Sequence, residues 1–372
     1  MKSAIKQALR PLARGGAAML AGTAVAVGLK QLDPAPVHYL IEEQDWAIRR
    51  VGTGIRDGVE RHHPGQMALI LSAAGTRDRV VHFGSQYMWT AWERFMGSSN
   101  RYVTSFFHGK PEDGPDIARH IDHFLRSVPK LGRIVVSNGL LMERLSGWGV
   151  PAEKLVLIPI GTDTALFLPP APGQREAARQ RFAIPDGAVA IGSFQKDGVG
   201  WGDGMEPKPI KGPDVLVETA AIIARDRPVH VLLTGPARGY VKTELERRGI
   251  AFSHDYIEDY AELTTAYHAL DLYLVTSREE GGPMGLMESM ASHVPVVSTP
   301  VGMGPDLIEE GVTGWLAPID AQAIAEAAHK ALDRPDPQAV LLAARERVMS
   351  CDWQVVADRH WAEVYQPLMA EL

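Results

Sequence analysis

The feature that most constrains this chain is an alternation of short β-rich runs with longer helical stretches, which runs once, breaks, and starts again. In the first half, the runs 37–41 (VHYLI), 67–72 (MALILS), 79–83 (RVVHF), 102–107 (YVTSFF) and 133–136 (RIVV) read as strands. Helical patterns fill the intervals near 45–61, 88–96, 115–127 and 138–147. The break falls at Pro169-Pro170-Ala171-Pro172-Gly173, a cluster that supports neither helix nor strand. Strands then resume at 188–193, 229–234, 271–276 and 294–299, with weaker ones near 251 and 315. Helices are expected at 213–225, 238–248, 260–269, 284–292, 304–310 and 321–332. Strand–helix alternation of this kind builds a parallel sheet covered on both faces. The fold class is therefore α/β, with two doubly wound domains expected to face each other across a cleft, since such sheets bind ligands at the carboxyl ends of their strands.

The expected organisation is a basic segment over 1–35, a first domain over 36–168, a linker over 169–185, a second domain over 186–345, and a helical segment over 346–372 that returns to the first domain. Apolar residues make up 45% of the 372, enough for each half to bury its own core. A net charge of −7, with no basic stripe carrying aromatics, argues against nucleic acid as a partner. The lone Cys351 forms neither an internal disulfide nor a thiolate metal cage, which fits a reducing compartment.

Chemistry concentrates in residues 277–299. A buried strand ends at Thr276, a short loop carries Glu280, Gly281 and Gly282, and Pro283 suits the first position of a helix. The amides of Met284 and Gly285 then lack helical partners and offer an anion site. Glu288 follows five residues after Pro283, roughly 7.5 Å along the axis at 1.5 Å per residue. Carboxylates are strong acceptors for sugar hydroxyls. The set suits a sugar at Glu280, a diphosphate at the amides of Gly282, Met284 and Gly285, and a ribose at Glu288. Taken as bare spacing, two glutamates on a solvated face would look the same; the strand end, paired glycines and Pro283 favour a site.

Glu280 to Glu288, followed by Ser-Met-Ala-Ser-His-Val-Pro-Val-Val, resembles the E-x7-E signature of the family-four retaining glycosyltransferases, which have the GT-B fold of two Rossmann-like domains. The resemblance extends to Gly311-Val312-Thr313-Gly314-Trp315-Leu316 and to 133–168, and covers about residues 100–366. It implies that Glu280 contacts the donor sugar and Glu288 the ribose. It also implies cations on the diphosphate: Lys211-Gly212 matches the family's Lys-Gly position. The usual Gly-Arg is missing, because Gly192 leads into Ser193-Phe194-Gln195-Lys196, and Lys196 is the candidate substitute ahead of an insertion over 197–207. His108, at the end of a strand, matches a histidine that reaches towards the reacting centre. Tyr256 and Ile257 are expected near the nucleotide base. The family's glycine-rich loop after the first strand is replaced by Glu42-Glu43-Gln44-Asp45-Trp46-Ala47-Ile48, which leaves the acceptor side unassigned.

The expected activity is transfer of a sugar, with retention, from a nucleotide-diphosphate sugar to a glycan or lipid-linked acceptor in surface polysaccharide or glycolipid assembly. No Asp-x-Asp motif follows a strand, so neither metal nor cofactor is expected. The rival classes are a non-catalytic nucleotide-sugar-binding scaffold of the same fold and a GT-B epimerase or phosphorylase; turnover and the need for an acceptor discriminate them.

Residues 1–32 carry Lys2, Lys6, Arg10, Arg14 and Lys30 and no acid. Ile5, Ala8, Leu9 and Leu12 recur at helical spacing, as in a basic interfacial helix attracted to anionic lipid. The 15 uncharged residues between Arg14 and Lys30 are too few for an ordinary membrane span. A cytoplasmic enzyme held on the inner membrane face is expected. A signal peptide cleaved near Ala24-Val25-Ala26 and a disordered arm are the alternatives.

Overall fold

The computed structural model describes residues 33–43, 47–200 and 202–372. The expected tether at 1–32 lies outside them, as do residues 44–46 of the unusual first loop. No helix of the described residues is long and apolar enough to cross a membrane. The chain forms two compact units, one of residues up to Gly161 with Trp353–Leu372, the other of Thr162–Asp352.

The first unit is built on six parallel strands, β1 (Val37–Leu40), β2 (Met67–Ile70), β3 (Val80–Phe83), β4 (Arg101–Phe106), β5 (Arg133–Val136) and β6 (Leu155–Leu157), in the order β2-β1-β3-β4-β5-β6. Strands β1 and β3 are buried throughout, which is why they read as mostly apolar runs, each with one histidine, rather than as alternation. Four helices accompany them: α1 (Ala47–His62), α2 (Gln86–Trp92), α3 (Pro115–Ser127) and α4 (Gly139–Gly147). Helix α2 starts where Ser85 Oγ accepts the Met88 amide, and α4 where Asn138 Oδ1 accepts the Leu141 amide at 2.9 Å. The core gathers Phe83, Trp89, Phe106 and Phe124. Strand β6 is unheralded in the sequence: it has three residues, only the first of them buried, at the sheet's edge.

The second unit opens with α5 (Gln174–Arg181), inside the stretch expected to be linker. The reason lies in two arginines. Arg175 reaches Asp271 Oδ1 at 2.5 Å and Arg179 reaches Asp271 Oδ2 at 3.0 Å, so the turn after Gly173 becomes a helix docked on the second sheet's own residues. The elements that follow are β7 (Val189–Ser193), α6 (Pro213–Ile223), β8 (Val229–Thr234), α7 (Gly239–Arg247), β9 (Ala251–Asp255), α8 (Leu263–His268) and β10 (Leu272–Val275). After them come α9 (Met284–Ala291), β11 (Val296–Ser298), α10 (Gly304–Leu307), β12 (Trp315–Leu316), α11 (Ala321–Leu332) and α12 (Pro337–Val348). The sheet is parallel in the order β12-β11-β10-β7-β8-β9. From β7 the chain moves outward through β8 and β9, then crosses to β10 on the other side. The strand order therefore reverses between β7 and β10, and a ligand crevice belongs at the carboxyl ends of those two strands.

The chain then returns to the first unit through α13 (Trp353–His360) and α14 (Gln366–Met369). Gly54 of α1 and Gly161 lie against the Trp353 ring, where any Cβ would collide with it, and Gly58 meets Ala357. Deeper in, His82 Nδ1 pairs with the Tyr365 hydroxyl at 2.8 Å and Nε2 with Ser105 Oγ at 2.9 Å, all buried.

Candidate active site

Lys211 and Glu280 meet at the carboxyl end of β10. Lys211 ends a single 3-10 turn, Pro209–Lys211, and Gly212 follows in the left-handed region at φ 61°. A Cβ on Gly212 would fall far inside van der Waals contact with the Thr276 carbonyl oxygen, and Thr276 Oγ1 donates to the Gly212 carbonyl at 3.0 Å. Only glycine permits both the conformation and the approach. The Lys-Gly pair is thereby pinned to the strand end. Arg278 adds a second pin, its amide on the Ile210 carbonyl at 2.8 Å.

The lysine so placed puts Nζ 2.5 Å from Glu280 Oε1, and Ser277 Oγ donates to the same oxygen at 2.8 Å. Oε2 makes no hydrogen bond among the described residues. The carboxylate is thus oriented through one oxygen and presents the other. Beside it, the amides of Gly282, Met284 and Gly285 also make no hydrogen bond among the described residues, as expected for a helix start. Pro283 departs from the expected position: it is the N-cap, extended at ψ 106°, and the helix begins at Met284. The loop from Glu280 continues one residue further before turning, and the Leu286 amide closes on the Pro283 carbonyl at 3.0 Å. Gly285 lies directly on the Tyr273 hydroxyl, where a side chain would not fit.

Glu288 occupies a different environment from Glu280. It is 3% exposed, its Oε1 accepts the Tyr260 hydroxyl and its Oε2 the Tyr267 hydroxyl at 2.6 Å. Tyr267 is held firmly as a donor, because burial and then the Glu288 charge raise its pKa well above the ordinary phenol value. Phe194, Phe167 and Tyr273 pack edge-on or tilted around Tyr267 with ring centres 4.8–5.6 Å apart. Phe194 follows Ser193, the residue that stands where the resemblance leads one to seek an arginine; its ring is floor, and its amide donates to the Tyr273 hydroxyl at 3.1 Å.

Lys196 follows β7 on the other side of the switch point, and burial lowers its pKa. Tyr256 is exposed and, with Ile257, follows edge strand β9, remote in strand order from β10. The same loop ends instead at Tyr260, which does reach Glu288. Tyr260 and Tyr267, seven residues apart on consecutive short helices, are the site residues the motif did not name; that two-turn spacing ahead of an apolar strand was the available signal. His108 belongs to the first unit. It is exposed just past β4, its carbonyl accepts Gln86 Nε2 at 2.9 Å, and its ring lies 6.1 Å from that of Tyr87.

Residues 200–334, which contain Lys211, both glutamates and both tyrosines, match the family model described as Glycosyl transferases group 1. A D-inositol 3-phosphate glycosyltransferase of Actinosynnema mirum is 28% identical over 305 residues, spanning 72% of this chain and 69% of that protein. The putative colanic acid biosynthesis glycosyltransferase WcaL of Escherichia coli K12 is 26% identical over 307 residues, 78% and 70% of the two chains. Among solved structures, Anabaena Alr3699/HepE in complex with UDP and glucose shares the fold at a TM-score of 0.70 and 17% identity, over 89% of this chain and 99% of that one.

Proposed function

We propose, from the premise that this chain is a group 1 glycosyltransferase of the GT-B fold, that it transfers a sugar from a nucleoside-diphosphate donor with retention and without a metal ion. The observation that carries this is the Glu280 carboxylate, fixed at Oε1 by Lys211 and Ser277 and open at Oε2 beside three unpartnered amides. Oε2 accepts a hydroxyl of the donor sugar. The amides and Lys211 take the diphosphate, placing positive charge where negative charge grows as the bond from the anomeric carbon to phosphate oxygen breaks. The bond's electron pair leaves with the diphosphate. The acceptor hydroxyl attacks the same face, and its proton passes to the departing phosphate oxygen. A lysine does here what a divalent ion would otherwise do. Glu288 receives the ribose. His108 takes the role that the resemblance implies for it.

The colanic acid biosynthesis name of the WcaL relative supports a glycan or lipid-linked acceptor, and the basic pattern of residues 1–32 supports work at the cytoplasmic face of a membrane. Purified protein with chelator present should melt higher with one nucleoside diphosphate of a panel, since ligand bound only by the native state stabilises it by mass action. It should also consume the matching nucleotide sugar with an acceptor extract. Strict dependence on a divalent ion would refute the metal-free step; binding without consumption would make the protein a scaffold.

A further inference from the structure

Arg238 is a buried guanidinium that the transfer step does not use. It is 1% exposed, and Nη1 donates to the carbonyls of Ser193 at 2.6 Å and Thr234 at 2.9 Å, the last residues of β7 and β8. Its Nε stands 3.0 Å from Oδ1 of Asp197, also 1% exposed. A pair at this depth loses much hydration and is weak evidence of a stabilising role. It does fix the first residue of the 197–207 insertion to two strand ends at the switch point.

The insertion folds back on itself from there. The Val199 amide bonds the Glu206 carbonyl at 2.9 Å, and the Lys208 amide bonds the Asp197 carbonyl at 2.7 Å. Asp203 and Gly204 carbonyls accept the Gly239 and Tyr240 amides at 2.6 and 3.0 Å, which anchors the insertion on the first turn of α7. Lys196 and Lys208 are therefore the two feet of one closed loop, meeting at Asp197. From Lys208 the chain reaches Lys211 in a single turn, the Lys211 amide on the Lys208 carbonyl at 2.9 Å. Three lysines share this strip of backbone; of the carboxylates near it, Asp197 is matched by Arg238 and Glu280 is held by Lys211. Burial lowers the Lys208 ammonium, Lys211 and Lys196 lower it further, and Glu280 opposes them. Lys208 thus stands one turn from the Lys211–Glu280 pair.

We infer that Lys208 is a third cation on the donor's diphosphate, supplied by the insertion, and that the buried Asp197–Arg238 pair is the positioning device that holds it there. This rests on the donor reading of the Glu280 site. The chemistry it adds is an extra positive charge on the phosphates.

The full chain is titrated calorimetrically with ADP, GDP, UDP, the matching nucleosides and inorganic pyrophosphate, at two salt concentrations. Lys208→Ala should weaken the responsive diphosphate and pyrophosphate about fivefold, leave the nucleoside unchanged, and make diphosphate binding less sensitive to salt. The double variant Asp197→Asn/Arg238→Met removes the pair without leaving a lone buried charge. In that background Lys208→Ala should have no further effect on diphosphate binding. Should the double variant fail to fold, the single variant still decides the role of Lys208. Diphosphate binding unchanged by Lys208→Ala, or nucleoside and diphosphate weakened alike, would overturn the inference. A wild-type chain that answers none of the diphosphates would overturn the donor reading and this assignment with it.

Discussion

Replacing Glu288 separates what its carboxylate does for the fold from what it does for a ligand. Glu288→Ala removes the acceptor from two tyrosine hydroxyls and opens a void in a buried helix. The Tyr267 hydroxyl is fully buried, and leaving it unpaired costs about 1–3 kcal/mol. Tyr260 is only half-buried and turns to water at little cost. With the void, the loss comes to about 2–4 kcal/mol. In a unit spanning Thr162–Asp352 each kcal/mol lowers Tm by about 2–4 °C, so this variant should melt roughly 10 °C lower. Glu288→Gln keeps the shape and one good acceptor and should lose only about 1–2 kcal/mol. Its melting point falls by a few degrees, while nucleoside-diphosphate affinity falls about tenfold because the ribose meets a neutral acceptor. Glu280→Gln, by contrast, should bind the same diphosphate as wild type does and lose turnover. Melting is followed by circular dichroism and binding by calorimetry well below the transition. A Glu288→Ala protein as stable as wild type would refute the buried two-tyrosine arrangement; unchanged affinity in Glu288→Gln would refute the ribose role.

Acid should weaken the first unit through its buried histidines. Burial holds His360 down to about 4 and His82 well below the ordinary value, the latter with a further push from the His360 charge. Their folded pKa values lie below the unfolded one, so below about pH 6.5 the unfolded chain binds protons that the native one refuses. Stability should fall by up to about 1.4 kcal/mol per pH unit for each histidine between roughly pH 6.5 and 4, and equal urea midpoints at pH 7.5 and pH 5 would refute this. The full chain should float with anionic vesicles and release at high salt, whereas a chain starting at Pro34 should stay behind; equal flotation, or a mature N-terminus after Ala26, would end the tether reading.

Much of the fold was legible because parallel strands buried on both faces leave short, mostly apolar runs, as at 80–83 and 229–234, each carrying one buried histidine. What escaped was held by something other than pattern. Strand β6 is too short and too exposed to show a run. Helix α5 follows a proline-rich break and is drawn onto Asp271 by charges 90 residues and more away in sequence. The site shows the same division. Glu280, Lys211 and the bare amides were legible because the residue types at a strand end already state their chemistry. Tyr260 and Tyr267 were not, because the Glu288 they meet comes from another element. Phe194 packs onto Tyr267 and Tyr273, and Lys196 follows two residues on.

The seven-residue spacing of the two glutamates works differently from a simple distance along a helix. Helix α9 is buried without interruption from Leu286 to Ala291, and only Met284 and Gly285 in its first turn stay partly exposed. A helix enclosed in this way can be approached by a ligand only at its start. Four residues of loop carry Glu280 to that opening, where Lys211 and Ser277 turn it. The next turn carries Glu288 beneath the opening, where water does not compete and two phenols orient it. In the proposed function one carboxylate meets the donor at the rim and the other from below, with the amides of Gly282, Met284 and Gly285 between them. The spacing sets a difference in depth, and a ligand that satisfies both must be long, rich in hydroxyls at both ends, and anionic in the middle. A nucleotide sugar has that form.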